Sequence, residues 1–206
     1  MQFETFAPLR ELPFITHAFT LRTSEDTKAD DFEGRVLTAL GFPSNRFASA
    51  EQTHGTGVAI VLESTGERLP MVDALATSTR NLPLAIRCAD CAAVFLVDRR
   101  TPAVALVHSG KKGTLAGIVS NTLIMMGQRF GTHPGECLAL ISPSIGPCHY
   151  EMDIWSGIEG QLREAGVRDI HNPRVCTACH LDRYYSYRAE NGQTGRMLAV
   201  LALKPQ

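Results

Sequence analysis

Cys91, His108 and His54 are the residues whose chemistry and placement suggest a site. Cys91 precedes an apolar run over residues 92–97. A polar turn, Asp98-Arg99-Arg100-Thr101-Pro102, leads into a second apolar run over 103–107, which ends at His108. Two strand-like runs joined by turn-type residues predict a β-hairpin. Folded about Arg100, it brings Cys91 nearly cross-strand from His108, with Cβ atoms roughly 5–8 Å apart. His54 lies well upstream, in the polar stretch Gln52-Thr53-His54-Gly55. Two imidazoles and one thiolate suit zinc, and three protein ligands leave a fourth position for water. Such a water is acidified enough to supply hydroxide near neutral pH. Asp90 adjoins Cys91, but strand alternation points it to the opposite face, as a supporting or structural residue.

Each of these residues also has a plainer reading. His54 fits a surface loop, His108 fits a hydrogen-bonded core histidine, and Cys91 fits a small core hydrophobe. The cross-strand pairing of Cys91 with His108 favours a site for those two. Cys88/Cys91 and Cys176/Cys179 are two C-x-x-C pairs. Together they could form a four-thiolate zinc site, although the gap between them far exceeds that of a compact zinc ribbon.

Beyond His108 comes Gly110-Lys111-Lys112-Gly113-Thr114, between strand and expected helix. Free N–H groups and the ammonium groups of Lys111 and Lys112 suit an anion such as phosphate; the alternative is a solvated basic turn. The spacing of a Walker P-loop is absent. Arg188, in Ser186-Tyr187-Arg188, and Arg196, in Thr194-Gly195-Arg196, add guanidinium forks that match phosphate or carboxylate, or surface ion pairs.

The elements that must position these groups are ordinary. The chain has 206 residues, 44% of them hydrophobic and 20% charged, which suits one domain with a substantial core. A net charge of −1 gives no broad electrostatic case for nucleic acid or an anionic membrane. No signal-peptide pattern opens the chain, and no apolar run approaches the ~20 residues of a membrane span. A cytoplasmic location is expected, where six cysteines point to reactive or metal-binding roles rather than disulfides.

Strands are predicted over 15–21, 58–62, 84–86 and 137–141, and a loop over 63–70; periodicity does not separate strand from helix over 198–203, where the short length and Gly195 favour a strand. A helix over 32–40 has Asp30 or Asp31 as cap and Gly41 at its end. The longest predicted helix runs over 114–130, with Leu115, Ile118, Val119, Thr122, Leu123 and Met126 on one face. Another covers 151–165. Hairpins mixed with separate helices indicate an α+β fold, a mixed α/β sandwich in a single domain over 1–206.

These residues also carry a resemblance. Gln52-Thr53-His54-Gly55, Val72-Asp73-Ala74-Leu75-Ala76-Thr77, Ala89-Asp90-Cys91, Val107-His108-Ser109-Gly110, Ile145-Gly146-Pro147-Cys148-His149-Tyr150-Glu151, Cys176-Thr177, Ser186-Tyr187-Arg188 and Thr194-Gly195-Arg196-Met197 occur in this order. The chain resembles the laccase-domain family, also labelled multicopper polyphenol oxidase or purine nucleoside phosphorylase. The resemblance runs from about His17 to Leu203. It implies a domain of layered mixed sheets flanked by helices. It also implies zinc-dependent phosphorolysis of adenosine, inosine, guanosine and methylthioadenosine, with adenosine deamination as a further activity. The implied metal ligands are His54, Cys91 and His108. The chain departs from the family's Gly-Trp-Arg-Gly at Gly110-Lys111-Lys112-Gly113. It lacks the glycines of the family's N-terminal motif after Arg22, and has Cys148-His149 where the family has a cysteine pair.

Other functions compete. A metal-free cysteine hydrolase or deamidase would use Cys91 as nucleophile and His108 as base. A copper-dependent polyphenol oxidase would need many histidines, commonly as His-x-His, whereas the chain has seven histidines and no such pair. A non-catalytic zinc- or nucleoside-binding protein is the fourth reading. The expected partners are a purine nucleoside and phosphate, with neither nucleic acid nor membrane, in a monomer or small homo-oligomer.

Overall fold

The computed structural model describes residues 1–65 and 68–205. In chain order the strands are β1 (Phe3–Glu4), β2 (Ile15–Thr20), β3 (Ala48–Ala50), β4 (Val58–Ile60), β5 (Arg68–Leu69), β6 (Ala74–Thr77), β7 (Leu84–Cys88), β8 (Ala92–Asp98), β9 (Ala103–Ser109), β10 (Cys137–Ile141), β11 (Asp169–His171) and β12 (Met197–Leu203). The helices are α1 (Ala7–Arg10), α2 (Phe32–Ala39), α3 (Lys111–Leu115), α4 (Ile118–Phe130) and α5 (Ile154–Glu164). Two mixed six-stranded sheets form, ordered β1-β2-β12-β7-β3-β5 and β11-β10-β8-β9-β6-β4.

Alternation along the strands stacks these sheets. Ala93, Phe95 and Val97 of β8 and Val104 and Leu106 of β9 join Phe19, Leu84, Ile86, Ala199 and Leu201 of the other sheet in one core. The intervening residues, Val94 and Leu96 with Ala105 and Val107, face the other way and pack against Ile118, Val119, Leu123 and Met126 of α4 and Ile158 and Leu162 of α5. On the outside of the first sheet, Leu198 and Val200 pack against Phe32, Val36 and Leu37 of α2. The layers therefore run helix, sheet, sheet, helix, and the mixed α+β sandwich is present. Central strands buried on both faces read as continuous apolar runs. This is why the 198–203 segment has no visible period although β12 covers it.

The hairpin, the 15–21 strand and the 137–141 strand form as expected. Four details differ. The helix expected over 114–130 is broken, because Gly117 takes a left-handed φ of +82° between α3 and α4. That break resets the helical phase, so Leu115 is exposed rather than part of the buried stripe. Asp31 precedes α2 without capping it; its carboxylate pairs with Arg35 instead. The helix expected from 151 begins at Ile154, capped by Asp153, which accepts from the Ser156 N–H at 3.1 Å. The short strand β5 lies within the loop expected over 63–70, of which residues 66 and 67 are outside the described set. No described helix is long and apolar enough to cross a membrane.

His17 gives the inter-sheet core a pH dependence. It lies on β2, 7% exposed, between the rings of Phe6 and Phe95. Its Nε2 accepts from the Phe6 N–H at 2.8 Å, which requires the neutral ring. Burial, then the nearby Arg10, push its pKa down to about 4. The unfolded chain takes up the proton near pH 6.5, while the folded one resists until about 4. Stability from this residue is complete above about pH 6.5 and is lost as pH falls toward 4, up to about 3 kcal/mol in all. Urea unfolding from pH 7.5 to 4 should show a steeper loss for the wild type than for His17→Gln; equal slopes would refute this.

Candidate metal centre and cleft

The hairpin register decides where the thiol falls. Ala92 pairs with Ser109 and Ala93 with His108. Cys91 therefore comes opposite Gly110, one diagonal step from His108, and both side chains take the face turned toward the other sheet. The glycine is a steric requirement, since a Cβ there would stand 2.4 Å from Cys91 Sγ. Cys88, three residues earlier, is buried in the inter-sheet core. Burial first, and the neighbouring Cys91, push its thiol well above its ordinary range. Sequence spacing alone does not separate these two cysteines; strand register does.

His54 arrives on a loop held in an unusual shape. Gln52 and His54 have φ of 64° and 61°, left-handed values that cost non-glycine residues roughly 1 kcal/mol or more each. Two sets of contacts hold them there. The Gln52 side chain docks on β7, donating to the Arg87 carbonyl at 2.6 Å and accepting from the Arg87 N–H at 2.9 Å. Asp73, fully buried, accepts from the N–H groups of His54 and Gly55 at 2.9 and 2.8 Å and from the Thr53 hydroxyl at 3.3 Å.

The same carboxylate accepts from His108 Nδ1 at 2.8 Å. That fixes the ring and leaves Nε2 for the thiol side, the arrangement common to metal-binding histidines. The His54 and His108 rings meet edge to face with centroids 4.9 Å apart. The donor atoms of His54, Cys91 and His108 lie within 4.8 Å of one another.

The charges of these groups reinforce one another. Burial alone would raise the Asp73 carboxyl, but the hydrogen bond from His108 and the N–H groups of Gly55 and His54 bring it below its ordinary range. Burial opposes ionisation of Cys91, yet the His108 charge and hydrogen bonds from both imidazoles bring its pKa down to about 6. Burial likewise works against the His108 cation, and the Cys91 thiolate and Asp73 carry its pKa up to about 9. A cysteine poised as thiolate is in the form that ligates metals and attacks electrophiles. The donor set, one thiolate with two imidazoles and one ring braced by a carboxylate, fits a zinc ion with an open fourth position.

The cluster opens into a cleft of about 880 Å³ lined by His54, Cys91, His108, Lys111, Lys112, Arg188 and Arg196, so all the site residues nominated from the sequence border one space. Their individual settings differ. Lys111 and Arg188 both pair with Glu151, at 2.9 and 3.4 Å. Arg188 also lies over the Tyr150 ring at 4.8 Å, and Arg196 over the Tyr187 ring at 5.6 Å. Lys111 and Lys112 open the short helix α3 rather than a loop.

Asp90, with φ of 81°, is structural: its carboxylate accepts from the Thr177 hydroxyl at 2.7 Å and from the Arg188 N–H at 2.6 Å. The two C-x-x-C pairs do not meet. Cys91 joins the histidines, whereas Cys176 and Cys179 lie with Cys148 and His149. Sequence reading passed over Asp73 as a site residue. Its one signal in the sequence is its place in the Val72–Thr77 motif, which does not say whether the acid is buried.

Known proteins place this geometry in a family. The family model described as multi-copper polyphenol oxidoreductase laccase matches residues 22–154 and 149–204. A protein named purine nucleoside phosphorylase from Streptomyces coelicolor is 32% identical, over 80% of this chain and 78% of its own length. Another of that name, YlmD of Geobacillus stearothermophilus, is 27% identical over 94% of this chain and 86% of its own. The crystal structure of YlmD superposes with a TM-score of 0.87 at 24% identity, over 94% of each chain. The Bacillus licheniformis protein YfiH superposes with a TM-score of 0.89 at 24% identity, over 98% of this chain and 99% of its own. Sequence and fold agree: this chain belongs to the multi-copper polyphenol oxidoreductase laccase family, and its curated relatives include proteins named purine nucleoside phosphorylase.

Proposed function

We propose that the protein is a zinc-dependent purine nucleoside phosphorylase acting on adenosine, inosine, guanosine and methylthioadenosine, with adenosine deamination as a second activity of the same cleft. The observation that carries this reading is the convergence of His54, Cys91 and His108 in a cleft walled by cations, in a chain whose relatives bear that enzyme's name. His54, Cys91 and His108 would hold the ion. When bound, zinc supplies Lewis acidity and an acidified water.

The chain's own groups account for the rest. Lys112 lines the cleft without a carboxylate partner among the described residues, beside Lys111 and Arg188, which share Glu151. Together they can take up the negative charge of phosphate, with the guanidinium fork orienting it. Tyr187, 55% exposed on the cleft wall, offers a ring face to the purine. In phosphorolysis a phosphate oxygen forms the bond to C1′ of the ribose. The C1′–N bond breaks, and the base leaves with that electron pair and takes up a proton. Deamination consumes water, releases ammonia and needs no phosphate.

A second reading, the metal-free Cys91–His108 dyad, is favoured by the closeness of that pair and by the charges that favour a thiolate beside an imidazolium. His54 and its braced loop have no role in it. A multicopper reading is disfavoured, since neither His/Cys cluster among the described residues has more than two histidines.

Purified protein incubated with adenosine should release adenine and ribose 1-phosphate only with phosphate, and inosine with or without it. Chelation should abolish both, and zinc restore them. Activity that survives chelation and His54→Ala would establish the dyad instead. Asp73→Asn should weaken zinc binding about 10- to 100-fold, with activity recovered at high zinc; unchanged affinity would remove Asp73 from the centre. Gly110→Ala deletes no functional group, yet should lower kcat about as far as Cys91→Ser, because the added methyl displaces the thiol; wild-type turnover would contradict the register assignment. Lys112→Ala should raise the KM for phosphate about tenfold with little change for the nucleoside, and equal effects on both would place the lysine elsewhere.

A further inference from the structure

A second group of metal-type donors stands apart from the first. Cys148 and His149 come from the loop after β10. Cys176 precedes, and Cys179 ends, the 3-10 turn Thr177–Cys179, beyond β11. Cys148 Sγ and Cys179 Sγ are 3.6 Å apart. His149 Nδ1 lies 3.3 Å from Cys148 Sγ, 3.5 Å from Cys179 Sγ and 3.8 Å from Cys176 Sγ. Zinc–sulfur bonds of about 2.3 Å and zinc–nitrogen bonds of about 2.0 Å in a tetrahedron require edges of about 3.8 Å between sulfurs and about 3.5 Å between sulfur and nitrogen. The Cys148–Cys179 edge and the three sulfur–nitrogen separations lie close to these values, and all four donor atoms lie within 4.8 Å of one another.

The surroundings favour a built site over chance proximity. The two loops are already joined through backbone: Ser144 bridges Cys176, with the Ser144 N–H donating to Val175 and the Thr177 N–H to Ser144, each at 3.1 Å. The Gly146 N–H donates to Cys176 Sγ at 3.3 Å, a bond that stabilises a thiolate. Cys176 is buried, whereas Cys148 and Cys179 are exposed, so an ion can enter from solvent. A Cys148–Cys179 disulfide would leave Cys176 and His149 converging without purpose.

We propose that Cys148, His149, Cys176 and Cys179 form a structural zinc site. Three thiolates and one imidazole are soft donors that select zinc, and four protein ligands leave no position for substrate. The ion ties the loop carrying Ile145 and Tyr150 to the segment leading to Arg188, all three of which line the cleft. Asp90 completes the tie through Thr177 and Arg188. The site braces the cleft wall without contacting the reacting groups, and it does not depend on the reading of the first centre.

The test is zinc content of the reduced full-length chain, free of adventitious metal, with cobalt substitution as a second readout. The wild type should hold about two zinc ions per chain, and His54→Ala and Cys148→Ser/Cys179→Ser about one each. Cobalt in His54→Ala should show the intense sulfur charge-transfer bands of a three-thiolate site, which the double serine variant lacks. If the double variant does not fold, competition of a chromogenic chelator against His54→Ala, whose second cluster is intact, reads the same site. Zinc content unchanged by the serine substitutions would overturn the proposal. So would an absence of metal in His54→Ala, or a Cys148–Cys179 disulfide recovered in place of metal.

Discussion

One buried carboxylate holds this site together. Asp73 is out of water and accepts four hydrogen bonds, three from the His54 loop and one from the His108 ring. An unpaired charge there would cost several kcal/mol. The loop and the ring are therefore not free to drift, since moving either leaves the carboxylate short of partners. That constraint makes a left-handed His54 tolerable and aims two imidazoles from distant parts of the chain at one thiol.

The sandwich supplies the second constraint. Because β8 and β9 are buried on both faces, a one-residue slip would carry every side chain to the wrong core. Cys91 and His108 inherit this precision at the open end of the hairpin, where the inter-sheet core gives way to the cleft. Gly110 is the cost of bringing a sulfur into the cross-strand position. The electrostatics follow from burial: with water excluded, the attraction among Asp73, His108 and Cys91 outweighs the desolvation each suffers.

Around this centre the cleft is built from cations kept in order by neighbours. Glu151 spans Lys111 and Arg188, tyrosine rings lie beneath two guanidinium groups, and Asp90 fixes the Arg188 backbone. Asp90 also marks the divide between two donor clusters, with Cys91 next to it in sequence and Thr177, which follows Cys176 of the second cluster, hydrogen-bonded to it. One cluster gathers three donors at the cleft; the other gathers four donors from two loops.

The sequence by itself determined what local chemistry dictates. The hairpin followed from two apolar runs and a five-residue turn, the end of the first long helix from Gly41, and the nomination of Cys91 and His108 from residue type and the position of His108 at a strand end. The mixed sandwich followed from the alternation of such elements. Only the tertiary structure decided what depends on partners far along the chain. Nothing local says that Asp73 bonds both histidine segments, because a lone acid before a strand looks the same whether solvated or buried. Nothing local says that Cys179 meets Cys148 rather than Cys88, because cysteine spacing records sequence distance and not which loops are bridged. Gly117 read as one more helical residue, since a glycine within a helical pattern does not by itself mark a left-handed break. Periodicity and turn chemistry act over a few residues, whereas hydrogen-bond satisfaction of buried groups acts across the whole fold, and the centre is built from the latter.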